Sequence, residues 1–152
     1  MNPQLIQSLY EEYHTGIYRF ALSLLRDPQQ AEDVLQETFV KLLNGKLHTP
    51  TPGKEKAWLF RVARNLCLDI LRKRIRDLEL PPVIAAPQGE NWEFIDLISP
   101  LPQSEQEILS LKFIGGFTHG EIAKITGTTL HAAKKRYERA IQKLREEMEV
   151  SI

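Results

Sequence analysis

Five of the chain's nine prolines, Pro81, Pro82, Pro87, Pro100 and Pro102, crowd into one stretch just past its middle. Proline lacks a backbone N–H and pushes the residue before it out of the helical region, so no helix can run through that stretch. The 152-residue chain must therefore fold as two halves. Gly89 lies among the same prolines, and residues 78–90 have the composition of a connector. On both sides apolar residues recur at spacings of three and four, the period of a helix with one buried face. The expected fold is all-α: a helical domain over residues 1–77, a linker over 78–100 and a second helical domain over 101–152. Each half is small for an independent core.

The formal net charge is zero, which taken over the whole chain argues against a nucleic-acid partner. Its distribution argues the other way. Residues 1–45 are net minus three, 46–77 net plus six, 78–107 net minus six without a single Lys or Arg, and 108–152 net plus three. At a Debye length of about 8 Å, blocks that lie apart in the fold act on partners separately. Other classes are disfavoured by what the sequence lacks. Cys67 is the lone cysteine, with no disulfide partner and no CxxC spacing for zinc, which suits a reducing compartment. The four His residues are scattered without ligand spacing, no nucleophile–base pair stands out, and no cofactor or metal is implied, so an enzyme is not expected. No apolar run approaches the roughly 18 residues of a membrane span, and the N-terminus does not read as a signal peptide. A cytoplasmic protein without membrane insertion is the natural expectation.

In the first half, Leu5, Leu9, Tyr13, Ile17, Phe20 and Leu24 mark a helix ending near Leu25. Asp27-Pro28 reads as an N-cap with proline at the first helical position. The helix that follows places Ala31, Val34, Leu35, Thr38, Phe39 and Leu42 on one face and closes at Asn44-Gly45. Its other face carries Glu32, Asp33, Gln36 and Glu37, which by themselves could be a solvated surface. A third helix is expected over about Lys54 to Arg76. At about 100° per residue from Arg61, the residues Leu59, Val62, Ala63, Leu66, Cys67 and Ile70 fall between about 100° and 240° and define its core side. Opposite lie Trp58, Arg61, Arg64, Asn65, Asp69, Arg72 and Arg76. An indole among arginines is either half-covered by a neighbouring helix or a surface for unpaired bases, where rings stack and guanidinium groups meet phosphates. Arg61, Arg64, Arg72, Lys73, Arg74 and Arg76 outnumber the local acids, which favours an anionic partner.

In the second half, Thr118 with Glu121 three residues on is a capping-box spacing that opens a short helix. A turn at Gly127 follows, and Thr128 or Thr129 caps a longer helix with Leu130, Ala133, Tyr137, Ala140, Ile141, Leu144 and Met148 on one stripe. Short helix, glycine turn and second helix make a helix-turn-helix, whose second helix enters the major groove. Its outward residues are His131, Lys134, Lys135, Glu138, Arg139 and Gln142.

Taken in order, these motifs resemble a bacterial extracytoplasmic-function sigma factor, the small two-domain class of RNA polymerase specificity subunits. Ala31-Glu32-Asp33-Val34-Leu35-Gln36-Glu37-Thr38-Phe39 is similar to that family's core-polymerase-binding motif. Trp58-Leu59, Val62-Ala63-Arg64-Asn65, Asp69 and Arg72 are similar to its promoter-melting helix. Leu101-Pro102, Glu121-Ile122-Ala123, Gly127, Lys134, Arg136, Arg139-Ala140 and Leu144-Arg145 are similar to its helix-turn-helix. The resemblance implies that Asp33, Gln36 and Glu37 contact core RNA polymerase. It implies that Trp58, Arg61, Arg64, Asn65, Arg72 and Arg76 bind the −10 element as single strand, with a flipped base in a pocket beside the loop 46–53. It implies that His131, Lys134, Lys135, Glu138 and Arg139 meet the −35 element as duplex, that the acidic linker threads through the polymerase, and that an anti-sigma protein is a partner. The chain departs from the family at His131-Ala132-Ala133, where Gly-Thr-Val is usual, and at Glu138. The competing class is a regulator that binds duplex DNA alone, which leaves the Trp58 face without a role.

Overall fold

In the computed structural model, which describes residues 2–45, 50–79 and 92–150, the chain divides into two units at residues 84 and 85. The first holds α1 (Pro3–Leu25), α2 (Pro28–Asn44) and α3 (Glu55–Arg76); the second holds α4 (Trp92–Ile98), α5 (Gln103–Phe113), α6 (His119–Thr126) and α7 (Leu130–Val150). All regular structure among the described residues is helical.

Backbone chemistry sets the helix ends of the first unit. The Asn2 side chain accepts the Gln4 N–H at 2.8 Å, and Pro3 sits in the first turn, where a missing donor costs nothing. The Asp27 carboxylate accepts the N–H groups of Gln29 and Gln30 at 3.0 and 3.4 Å, and Pro28 follows it. α2 closes on Gly45, whose φ of 50° lies in the left-handed region, with its N–H donating to the Lys41 carbonyl. All three helices pack on one another. From Phe20 to Leu25 every residue of α1 is buried, which one helix face cannot account for, and α1 packs on both α2 and α3. Phe20 of α1 and Phe60 of α3 meet edge to face at 5.7 Å between ring centroids.

The core side of α3 is turned from the expected one. Phe60 and Leu68 are buried, whereas Val62, Leu66 and Ile70 are only half-buried. Ala63, Cys67 and Leu59 lie at the centre as expected. The shift follows from where α1 and α2 sit, and periodicity within α3 carries no information about that.

In the second unit Ile98, Leu101, Leu109, Ala140 and Leu144 form one cluster, with Phe94, Tyr137 and Ile141 packed against it. The reversal between α5 and α6 needs glycine: a Cβ on Gly115 would lie 2.6 Å from the Phe117 ring and 2.8 Å from the Leu111 carbonyl. The Thr118 capping box is complete, with Glu121 N–H donating to Thr118 Oγ1 at 3.2 Å and Thr118 N–H donating to Glu121 Oε1 at 2.9 Å.

The expected linker over 78–100 needs a correction at its C-terminal end. Trp92–Ile98 is a helix, and Ile95 and Ile98 are buried in the second unit. Prolines bracket this segment but do not enter it, so a short amphipathic turn forms where a core is there to receive it. Residues 80–91 of the expected linker, and 46–49 of the expected pocket loop, lie outside the described residues. The minus-six block is likewise not one surface. Glu105 and Glu107 belong to α5 and are buried, and Glu105 accepts a hydrogen bond from Lys143 Nζ at 2.7 Å.

Candidate nucleic-acid interface

On α2 the buried stripe from Ala31 to Leu42 leaves Asp33, Gln36 and Glu37 exposed together. Gln29 donates to Asp33 at 3.1 Å and Gln36 to Glu32 at 3.4 Å, both one turn along the helix. These are surface hydrogen bonds among groups that water already serves, so a basic partner can replace them at little cost.

On α3 the structure places Trp58 and Arg64 half-buried and Arg61, Asn65, Arg72 and Arg76 exposed. From Trp58 to Arg76 the row extends about 27 Å along the helix axis. Arg72 pairs with Asp69 at 3.0 Å and Arg76 with Asp77 at 3.5 Å. Exposed pairs of this kind contribute about 0–1 kcal/mol, so they hold the guanidinium groups in place without withholding them from phosphate. Three further residues, Lys54, Lys56 and Lys73, add cationic charge to the same helix and its entry.

Arg74 is not part of that row. Its side chain is 8% exposed, points into the unit, and donates to the Gln30 side chain of α2. Counting it with the cations available to an anionic partner is therefore wrong. Its angle on the helix, about 220° from Arg61, falls inside the core arc between the buried Ala63 and Cys67, which is the signal that composition alone conceals.

On α7 the five candidates His131, Lys134, Lys135, Glu138 and Arg139 are all exposed. They occupy an arc of about 140° opposite the buried Ala133, Ala140 and Leu144. Lys135 and Glu138 form an ion pair at 3.7 Å. The Thr129 hydroxyl accepts the Ala132 N–H at 3.1 Å and caps the helix. α6 packs on α7, where Ala133 is buried and the Tyr137 ring lies 4.8 Å from the His119 ring of α6. Burial, and then the charges of Lys112 and Lys134, push the His119 pKa below the usual imidazole value. The ring is therefore neutral at neutral pH, as befits a residue in the first turn of a helix.

Among the described residues no three His, Cys, Asp or Glu side chains converge as a metal site, and no helix is long and apolar enough to cross a membrane.

Comparison with known proteins finds a match for each of the two units. Residues 9–76 match Sigma-70 region 2, and residues 92–144 match Sigma-70, region 4. The second match begins at α4, in keeping with the place of that helix in the second unit. The chain is 31% identical to the ECF RNA polymerase sigma factor SigM of Bacillus subtilis, over 92% of this chain and 93% of that one. It is 28% identical to SigX of the same organism, over 97% and 85%. The co-crystal structure of the sigma factor RpoE with the anti-sigma factor NepR from Bartonella quintana matches with a TM-score of 0.82 and 25% identity, covering 96% of this chain and 98% of that one. With both regions in order and relatives aligned over nearly their whole length, the chain belongs to the extracytoplasmic-function sigma factors, the non-enzymatic subunits that bring RNA polymerase to promoters and start transcription.

Proposed function

We propose that the three exposed faces divide the work of a sigma factor among them. Asp33, Gln36 and Glu37 on α2 dock on core RNA polymerase. Trp58, Arg61, Arg64, Asn65, Arg72 and Arg76 on α3 take up the −10 element as it opens. His131, Lys134, Lys135, Glu138 and Arg139 on α7 meet the −35 element as duplex. Residues 1–77 then act as the polymerase and −10 unit, and the −35 unit begins at α4 rather than at residue 101.

The observation that carries this reading is the position of Trp58. A large aromatic side chain stands half-exposed at the head of a row of guanidinium groups, and a duplex offers no ring faces for it to stack on. Unpaired bases do, at about 1–3 kcal/mol each. On α7, Lys134 or Lys135 can donate to guanine O6 and N7, and Glu138 can accept from cytosine N4. That the Bartonella quintana relative is held by an anti-sigma protein supports an anti-sigma partner here as well. The site of action is the cytoplasm, where polymerase and promoters are.

The test is transcription from chromosomal DNA fragments with purified core polymerase and the full chain, with start sites mapped by sequencing. Starts should share two upstream elements at constant spacing. A folded chain that binds duplex but never yields core-dependent, promoter-specific starts would leave only the duplex-binding regulator.

A further inference from the structure

The row of cations on α3 ends in a turn with no apolar anchor of its own. Leu68 is the last buried apolar side chain of the helix. Among the described residues 72–79 Arg74 alone is buried, and the apolar Ile75 and Leu78 are 73% and 88% exposed. Arg72 and Arg76 stand in this turn, and their ion pairs, with Asp69 and Asp77, are made within the same stretch of chain. Those pairs orient the guanidinium groups along the helix but do not fasten the turn to another element. Backbone bonds close the helix by themselves: the Lys73 carbonyl accepts the Asp77 N–H and the Arg74 carbonyl accepts the Glu79 N–H, each at 2.9 Å. What the Arg74 side chain adds is a hold across to α2, where it donates to Gln30.

The acceptor is itself fixed. Gln30 lies half-buried in the first turn of α2, and its N–H donates to the Asp27 cap at 3.4 Å. Its neighbour Gln29 donates to the same cap at 3.0 Å through the backbone and to Asp33 at 3.1 Å through the side chain. One capped turn thus holds Asp33, a docking acid, and Arg74. A guanidinium suits this position. Its long stem spans the gap between helices, and its charged donor makes a stronger bond than a neutral one does. A hydrogen bond also has a direction, which an apolar contact at the same place lacks.

Resting on the reading of Arg72 and Arg76 as −10 contacts, we infer that Arg74 is a positioning residue for promoter opening. Through Gln30 it ties the last turn of α3 to the first turn of α2, and so sets where Arg72 and Arg76 stand with respect to the polymerase that α2 holds. Arg74 touches neither DNA nor polymerase. Without the tie the turn keeps its helical bonds but loses its place on the unit. Arg72 and Arg76 then meet the strand over a wider range of positions, and contacts that must form together with stacking on Trp58 form less often.

The experiment uses the full chain with purified core polymerase on a promoter found by start-site mapping. It measures core affinity, the opening rate at saturating holoenzyme, and the salt slope for holoenzyme binding a single-stranded −10 oligonucleotide. Arg74→Met keeps an unbranched side chain without donors. It should bind core as the wild type does, open promoters about tenfold more slowly, and lower the salt slope by about one unit. Because Arg74 meets no phosphate, a merely structural role would leave that slope unmoved. Gln30→Leu should reproduce both losses, and Gln30→Glu, which keeps an acceptor, should open promoters as the wild type does. Circular dichroism at the assay temperature verifies folding; should Arg74→Met fail to fold, the two Gln30 variants carry the test. In an Arg72→Ala/Arg76→Ala background Arg74→Met should cost nothing further, since it acts through those two residues. A loss of the same size in that background overturns the positioning role. So does wild-type opening by Arg74→Met when Arg72→Ala/Arg76→Ala opens slowly, and the −10 row then stands without it. An Arg72→Ala/Arg76→Ala chain that opens promoters at the wild-type rate sinks the end of the −10 row and this inference together.

Discussion

α3 and α7 are both long helices with a basic exposed face, yet the two faces are built differently. On α3 an indole leads a row of arginines, and the only anionic side chains among them form surface pairs with Arg72 and Arg76. On α7 the exposed arc holds no indole; lysines, an arginine and the smaller ring of His131 share it with Glu138, which pairs with Lys135. A planar ring and guanidinium groups match unpaired bases and a single backbone, whereas donors mixed with one acceptor match the edges of paired bases. Both helices are net positive, so the sign of the charge does not separate them. The kind of side chain and its position do.

The largest expected effect tests the aromatic half of that contrast. Trp58→Ala should slow promoter opening by roughly tenfold or more, the equivalent of about 1–3 kcal/mol of stacking, while closed-duplex binding stays as it is. Permanganate reactivity of thymines on duplex and premelted templates measures it, and equal losses on both templates would remove Trp58 from the melted-strand role. Next comes the support under α7. Lys143→Met leaves the buried Glu105 carboxylate without its hydrogen bond and should destabilise the second unit by about 1–2 kcal/mol, the lower part of the range for a charged bond because Lys143 itself is half-exposed. In a Trp58→Phe background Trp92 reports unfolding of the second unit, and an unchanged denaturation midpoint would show that the pair contributes nothing. A smaller effect separates phosphate contact from base contact on α7. Lys134→Ala should lower the salt slope of duplex binding by up to about one unit if its ammonium meets a phosphate; titration at four salt concentrations gives the slope.

The smallest effect is in pH. His119 has a lowered folded pKa because it is buried, with Lys112 and Lys134 adding to the effect and Glu138 opposing it. The unfolded chain therefore binds the proton more readily, so the contribution to stability is complete above about pH 6.5 and is lost as pH falls from there toward the folded value. Thermal melts of the second unit between pH 7.5 and 5 should show the decline, and His119→Phe should flatten it.

Much of the fold was legible before any coordinates. Asp27-Pro28, Asn44-Gly45, Thr118 with Glu121, and Gly127 all stand at helix boundaries as expected. Asp33, Gln36 and Glu37, and the α7 candidates, are exposed where helical angles put them. Two features were not legible. α4 was hidden by the prolines on either side of it, and Arg74 by the arginines around it.

What the sequence determined by itself is what backbone chemistry enforces over a few residues: two halves, helices with their caps, and the side of each helix on which its charges lie. Proline, glycine and capping side chains act on donors and acceptors within about four positions, so no distant partner is needed to read them. Only the tertiary structure decided which side chains are enclosed. Arg74 is buried because α2 presents Gln30 to it, Trp92–Ile98 is helical because a core accepts Ile95 and Ile98, and Glu105 keeps its place under α7 because Lys143 reaches it. Burial is set by what arrives from elsewhere in the chain, and spacing along one helix does not specify that arrival.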